Sequence, residues 1–547
     1  MGLIKKLFFR LDNLKHKEVI FDTALFICFV LIAGFLSISL ELDWDWDVAN
    51  YHIYNPWALL TGRVGYDIMP ASIMTYYNPV LDILTLYIIN TFNDFPKLVL
   101  FIFGFSYALL LFITFKIAQL VFKTHSHKTL VSLFSTAVGC SALYTVLIVG
   151  RQSHDILEAA LILCGIYLIL NFFEKQTNVF LIALSGFILG AVVGFKYIYA
   201  PFAVSAAIVL FFFRKSLNAP YRTMAVFAFS GIAGFLTVNG FWMYKLYTIF
   251  NNPIMPQFSE FFPNEWINPK VSVQAADANT YHYVKAGDVW KLPFLIDYDN
   301  RFLFIYLIFI INLFVIANVK NKKMQKIYGV NLFYSRFLLF FCVLSIVLLI
   351  KFFIELRYSC ATAALSGILV IAFISKFSDI SLKRIRLKKR LGIITVLSVI
   401  VSVYLMLSSD FSHIKFTHRF PLKNRILSVD NANFPDGSVV LVQGGFAFIV
   451  PYQNPNVRYI YFPEMRFLFS DIQIFSDRGY EKLRNYMQEQ PDKVFFVGGG
   501  DEVQDMVVFD ELKTHYGVKG ISERKLIGTT FGYILVGKLE LEENNSL

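Results

Sequence analysis

About eleven runs of some 20 mostly apolar residues recur along this chain. They lie near 22–40, 97–122, 129–149, 155–173, 178–194, 199–213, 222–242, 302–319, 332–353, 357–375 and 391–408. A helix needs about 20 apolar residues to cross the hydrocarbon core of a bilayer. Runs of that length and number predict a polytopic α-helical membrane protein with about 11 transmembrane helices. Composition agrees. The chain is 56% hydrophobic and only 16% charged, with 59 Phe among 547 residues, and its mean hydropathy is +0.56. An ordinary soluble domain is roughly a quarter charged.

The net charge of +11 does not point to nucleic acid, because the basic residues stand in short clusters between apolar runs. That distribution orients a membrane protein, with its Lys and Arg on the cytoplasmic side. Lys123 and Lys128, Lys175, Arg214, Lys215 and Arg222, the run from Lys320 to Lys326, and the densest cluster, Lys383 to Arg390, fall in alternate gaps. The opposite gaps are acidic or nearly neutral: residues 41–96 hold seven Asp and Glu against Arg63 alone. The expected topology is an integral multi-pass membrane protein with its N-terminus in the cytoplasm and its C-terminal domain outside. Residues 1–19 carry five Lys/Arg, and the first apolar run ends without a small-residue cleavage site, which reads as a retained signal anchor. The five cysteines show no paired spacing of a zinc site or disulfide framework.

Two outer loops are long, 41–96 and 243–300. The first contains a 13-residue apolar stretch, 80–92, too short to span and expected to lie in the interface. Beyond Asp410 the composition turns soluble. Short apolar runs at 439–442, 459–462, 494–497 and 533–536 read as strands, and 480–490 and 502–515 as amphipathic helices. The expected division is therefore a membrane domain at 1–409 and a small extracytoplasmic α/β domain at 410–547.

The first outer loop opens Asp43-Trp44-Asp45-Trp46-Asp47, followed by Asn50 and His52. An aromatic belt accounts for the Trp and Tyr. It does not account for crowded carboxylates, which repel and raise one another's pKa. Asp47, beside Trp46 and near Asp43 and Asp45, is thus expected to have a raised pKa suited to drawing a proton from a sugar hydroxyl. The same oxygens are the place where a divalent metal would sit, at Asp43, Asp45 and Asp47, although the expected chemistry requires no cofactor. The next outer gap, Gly150-Arg151-Gln152-Ser153-His154-Asp155, runs straight into a span with Glu158 one turn on. Lys196 stands between two spans on the outer side, against the charge trend, and Arg357-Tyr358 stands at another outer edge. An acidic base with outward-facing cations suits a lipid-phosphate leaving group, whose developing charge the cations stabilise.

These segments resemble the GT-C superfamily of polyprenyl-phosphate-dependent glycosyltransferases, which includes protein O-mannosyltransferases and the aminoarabinose transferase. The resemblance rests on Trp46-Asp47-x-x-Asn50-Tyr51-His52 through Gly62-Arg63 and on Tyr77-Asn78-Pro79-x-x-Asp82. Gly194-Phe195-Lys196-Tyr197, Asn252-Pro253-Ile254-Met255-Pro256 and Arg357-Tyr358 also look like that group. It implies an inverting transfer of a monosaccharide from a polyprenyl-phosphate carrier to an envelope glycolipid, polysaccharide or protein at the outer face of a bacterial inner membrane. Asp47 and Asp155 would be catalytic, and Lys196, Arg357 and Tyr358 would hold the donor phosphate. Asn50, His52, Asp82 and His154 would bind substrate. There is no Trp-Trp-Asp sequence, the mark of oligosaccharyltransferases. The alternative from another class is a lipid or glycan transporter or flippase, which calls for paired broken helices in similar halves; a third is an idle scaffold with a binding tail.

Overall fold

The structure is a computed structural model that describes residues 15–271, 330–352, 355–381, 419–462, 474–499, 512–513 and 516–541. The described residues up to Ser381 are mostly helical, and those beyond it contain a five-stranded sheet. Its helices are α1 (Lys15–Ser39), α2 (Tyr54–Leu60), α3 (Val80–Phe92), α4 (Pro96–Phe103), α5 (Phe105–Val121), α6 (Lys128–Cys140) and α7 (Leu143–Leu147). Next come α8 (Asp155–Glu174), α9 (Val179–Phe195), α10 (Ala200–Phe212), α11 (Pro220–Phe250), α12 (Leu332–Phe352), α13 (Cys360–Ser381) and α14 (Asp477–Glu489).

Among the described residues, six stretches are long and apolar enough to cross a membrane: Glu18–Ser39, Pro96–Val121, Asp155–Glu174, Pro220–Phe250, Leu332–Lys351 and Arg357–Ser375. The expected spans at 129–149, 178–194 and 199–213 contain shorter apolar helices, and those at 302–319 and 391–408 lie outside the described residues. The run at 129–149 is not one helix, because α6 stops at Cys140 and α7 restarts at Leu143. The second long loop starts later than the charge pattern suggests. α11 continues to Phe250, where Asn251 ends it with a left-handed backbone, φ +57°, a conformation that Asn tolerates better than most residues. The rest of that loop, beyond Val271, lies outside the described residues, as does the expected domain boundary at 409/410.

The glycines of 178–194 suggest a kink. They serve packing instead. A Cβ on Gly186, Gly190 or Gly194 would meet the backbone oxygen of Phe227, Gly231 or Phe235 on α11. Small residues at this repeat let two helix backbones touch, which in a bilayer gives van der Waals contact that larger side chains would prevent. The helix break falls after the glycines, at Lys196, whose extended backbone caps α9. Asn78 holds that end in place, its amide donating to Gly194 O at 2.9 Å and Val238 O at 3.2 Å.

α3 is 13 residues long, about 20 Å at 1.5 Å per residue, and so too short to span. One face is buried through Asp82, Leu86 and Ile89 while Leu84 and Tyr87 are exposed, which is the pattern expected of an interfacial helix.

The sheet has the strand order β4-β3-β5-β7-β6. Here β1 is Leu42–Asp43, β2 Arg419–Phe420, β3 Val439–Gln443, β4 Arg458–Phe462, β5 Val494–Gly498, β6 Val518–Thr529 and β7 Gly532–Leu541. β3 runs parallel to both β4 and β5, and β6–β7 is an antiparallel hairpin. The expected strands and the helix at 480–490 are all present; 502–515 falls almost wholly outside the described residues.

This sheet is fastened to the first long loop. β1 pairs with β2. Ile68 extends the free edge of β4, accepting from Tyr461 N and donating to Tyr459 O, each at 2.9 Å. Arg63 forks onto Asp67 at 2.6 and 2.7 Å and reaches Pro455 O and Val457 O at 2.5 Å. Trp44 stacks on Phe531 with centroids 3.8 Å apart. One apolar core joins Trp44, Val48 and Tyr54 of the loop to Val442 and Ile534 of the sheet and to Phe448 in the turn of helix that follows β3.

Candidate functional site

The three carboxylates at the head of the loop separate into two environments. Asp43 lies on β1 and Asp45 just beyond it, and Arg151 takes both: NH2 is 2.6 Å from Asp43 Oδ2 and NH1 2.9 Å from Asp45 Oδ2. Arg419 stands 3.6 Å from Asp43. The other oxygen of Asp45 accepts Val48 N at 2.9 Å, fixing the start of the next turn. Burial pushes the Asp43 carboxyl above its ordinary value, more than Arg151 and Arg419 pull it down. Arg151 thus pairs with one oxygen each of Asp43 and Asp45, two of the three carboxylates expected to offer a metal site.

Asp47 faces elsewhere. It leads into a five-residue π-helix, Val48–His52, a local widening common at functional sites. Its Oδ2 is 2.5 Å from Arg357 NH1, at the start of the last described span. The expected raised pKa is overturned. Burial does raise it, but Arg357, Lys196 and His52 together outweigh burial and hold the carboxyl below its ordinary value. The charged groups that set it are Arg357, Lys196, His52 and Asp155 rather than the neighbouring aspartates, although Asp45 Oδ2 also stands 3.8 Å from the Arg357 nitrogen that Asp47 holds.

Asp155 opens α8 beside this pair. Its Oδ1 accepts the Tyr199 hydroxyl at 2.9 Å and Lys196 Nζ at 3.2 Å, and its Oδ2 accepts Ser153 Oγ at 2.7 Å. For Lys196, burial works against the charge, but Asp155 and its neighbours raise the pKa above the ordinary lysine value. The Tyr358 ring lies under both cations, 5.4 Å from Lys196 Nζ and 5.1 Å from Arg357 Cζ. Glu158, one turn along α8, is buried, and its Oε2 has no hydrogen-bond partner among the described residues. Two cations, two paired carboxylates and an aromatic ring thus share one buried end of the bundle.

A third group lies beside them. Asp82 Oδ1 meets His52 Nδ1 at 2.6 Å and His154 Nε2 at 3.0 Å. Thr85 Oγ1 is 3.2 Å from the same His154 nitrogen. His154 holds a left-handed backbone, φ +64°, which costs a non-glycine residue energy and is concentrated at functional sites. Burial raises the Asp82 pKa, but the two imidazoles and their hydrogen bonds bring it below its ordinary value. Asn50 is committed to the backbone: its amide donates to Ala71 O at 2.9 Å and its oxygen accepts Gly445 N at 3.4 Å. It joins loop to sheet, an arrangement different from the expected substrate contact.

The sequence places Asp47, Asp155, Lys196, Arg357, Tyr358, His52, Asp82 and His154 as candidates, and the fold brings all of them to one end of the helices. It gave no role to Arg151, Tyr199 or Arg419. For Arg151 there was a signal, a lone cation in a short gap on the same side as an acidic loop.

Fold and site together define a polytopic helical membrane protein with a buried cluster of ion pairs, whose first long loop is packed against an α/β domain. No family model and no curated protein matches the chain. Among solved structures it is similar to ArnT from Cupriavidus metallidurans, crystallised bound to undecaprenyl phosphate, with 10% identity over 94% of this chain and 98% of that one. The TM-score is 0.46, a distant likeness in overall arrangement.

Proposed function

We propose that this chain is a glycosyltransferase that moves a monosaccharide from a polyprenyl-phosphate carrier to a cell-envelope acceptor at the outer face of the membrane. The observation that carries the reading is the quartet Asp47–Arg357 and Asp155–Lys196, buried at the edge of the spans with Tyr358 beneath both cations. Its charges cancel while it is empty. A phosphate ester entering from the bilayer competes with Asp47 and Asp155 for Arg357 and Lys196.

That exchange supplies both halves of the reaction. Arg357 and Lys196 take up the charge that grows on the phosphate as the sugar–oxygen bond breaks. Asp47, relieved of Arg357, recovers the basicity that the ion pair suppresses and accepts the acceptor hydroxyl proton. The hydroxyl oxygen attacks the anomeric carbon opposite the departing phosphate, so a single displacement inverts that centre. The lipid phosphate leaves with the bonding electron pair. Asp155, held by Tyr199 and Ser153, keeps Lys196 aimed. The reading places the N-terminus in the cytoplasm and the sheet domain outside, and assigns no metal a part in the bond-breaking step.

The direct test is transfer from a radiolabelled polyprenyl-phosphate sugar in membranes holding the chain or its Asp47→Asn variant at matched level. Label should reach a glycan only with the parental chain. Equal transfer by both would remove Asp47 as the base, and no transfer by either across a panel of donors would remove the reading.

A further inference from the structure

Asp82 is 3% exposed, and its only ion-pair partners among the described residues are the imidazoles of His52 and His154. A buried carboxylate needs a counter-charge, and neither Lys nor Arg pairs with it among those residues. Both imidazoles approach the same oxygen, from segments that share no local sequence. His52 ends the π-helix, Asp82 lies in the first turn of α3, and His154 caps α8. One candidate ligand atom from each lies within 4.8 Å of the other two. Ligands about 2.0–2.2 Å from zinc at tetrahedral angles stand roughly 3.3 Å apart. Two of the three separations, 2.6 and 3.0 Å, need only small adjustments to reach that spacing.

We infer that His52, Asp82 and His154 form a binding site for a divalent first-row transition metal of the zinc class, with a fourth position left for water. Two imidazoles and one carboxylate select against magnesium and calcium, which take oxygen ligands. Thr85, beside the His154 nitrogen, is placed to hydrogen-bond a water in that fourth position. The site needs no cysteine, and its ligands are far apart in the sequence, so no short motif announces it.

An ion there clips together the two segments that carry the carboxylates of the quartet. Asp47 immediately precedes the π-helix that His52 ends, and Asp155 follows His154 directly. The metal therefore acts as a positioning element. The inference stands apart from the transferase reading, because the site is read from its ligands and its first measurement is metal content.

The full chain, purified in detergent without a polyhistidine tag and dialysed against zinc-buffered solution, is assayed for bound metal by mass spectrometry. About one zinc per chain is expected, as for a site with three protein ligands. His52→Gln and His154→Gln should each lower that content about tenfold or more. Asp47→Asn, which touches none of the ligands, should keep it. A Co2+-loaded chain should show visible ligand-field absorption that both His variants lose. Because the parental chain is tested first, variants that fail to fold leave the result intact. Parental protein with less than about a tenth of an equivalent at saturating zinc overturns the site, as does metal content unchanged in both His variants. In either case the cluster is a hydrogen-bonded His–Asp–His network only.

Discussion

Asp43 and Asp45 stand beside Asp47 in one acidic stretch, yet the fold gives them opposite situations. Arg151 closes on the first two, Arg419 adds to it, and Trp44 between them is covered by Phe531 of the sheet domain. Each charge there is matched by another fixed charge of the protein. Asp47 is paired with a cation at the edge of a span, beside a second buried pair and an aromatic ring. The first group is a clasp between loop, helices and sheet. The second can exchange partners when an anion arrives, which a reactive site needs. Identical residue types a step apart along the chain are assigned different work by what the helices bring up to them.

The sharpest way to break this comparison is to neutralise each group alone. Asp47→Asn should reduce sugar transfer per folded molecule by about 10²–10⁴-fold, the range lost with a general base, beyond any loss of folded protein from leaving Arg357 without its partner. Transfer in radiolabelled membranes at matched expression checks it. A parental rate would mean that the exchangeable group is no more reactive than the clasp.

Arg151→Met probes the other side. It leaves two buried carboxylates without their cation, a change that costs about 3–5 kcal/mol when a buried pair is broken. The expected outcome is a large loss of folded protein in detergent thermal unfolding, with transfer per folded molecule reduced far less. Normal stability together with lost turnover would invert the two roles.

Lys196→Gln and Arg357→Gln should slow departure of the lipid phosphate by an amount worth about 2–4 kcal/mol, the usual cost of one charge-stabilising contact. Each also strands a buried carboxylate, Asp155 or Asp47. Rates per folded molecule, from single turnovers with saturating donor, separate the two effects. Unchanged single-turnover rates would leave these cations as parts of the clasp.

How much of this the sequence discloses depends on how local each signal is. Strands such as Val439–Gln443 and the apolar runs at 22–40, 155–173, 332–353 and 357–375 are local signals, and each is a strand or a long apolar helix in the fold. The crowding of carboxylates that marks the loop is also a local signal. The partition of that crowd is not local, because Arg151 and Arg357 arrive from segments far along the chain. Asp47 shows the consequence: adjacency predicts a raised pKa, but the partners that decide it are distant cations, and the sign reverses. The glycines of α9 mislead for a related reason, since a bend and a close-packed face leave the same trace until α11 is known. His52, Asp82 and His154 each stand out singly, and only folding makes them a set.

The smallest effect distinguishes the groups by the direction of their response to acid. The folded chain holds the Asp43 proton more tightly than the unfolded chain, whose value is the ordinary 3.8. Between 3.8 and the raised folded value, the native state binds more protons, so this group's contribution to stability falls as pH rises. The advantage of the parental chain over Asp43→Asn should therefore grow as pH drops through that window and level off below 3.8. Asp47 has the opposite sign. Its folded value is depressed, so its contribution is fully present above 3.8 and is lost as pH falls through the lower folded value. The advantage over Asp47→Asn should hold down to 3.8 and shrink only below it. Thermal unfolding midpoints of the three proteins in detergent, from about pH 6 to about pH 3, read both trends. Opposite slopes on the two sides of the unfolded value keep the clasp and the exchangeable pair distinct. Slopes of one sign would mean that the two groups share a single electrostatic environment, and the division of the acidic stretch would fall.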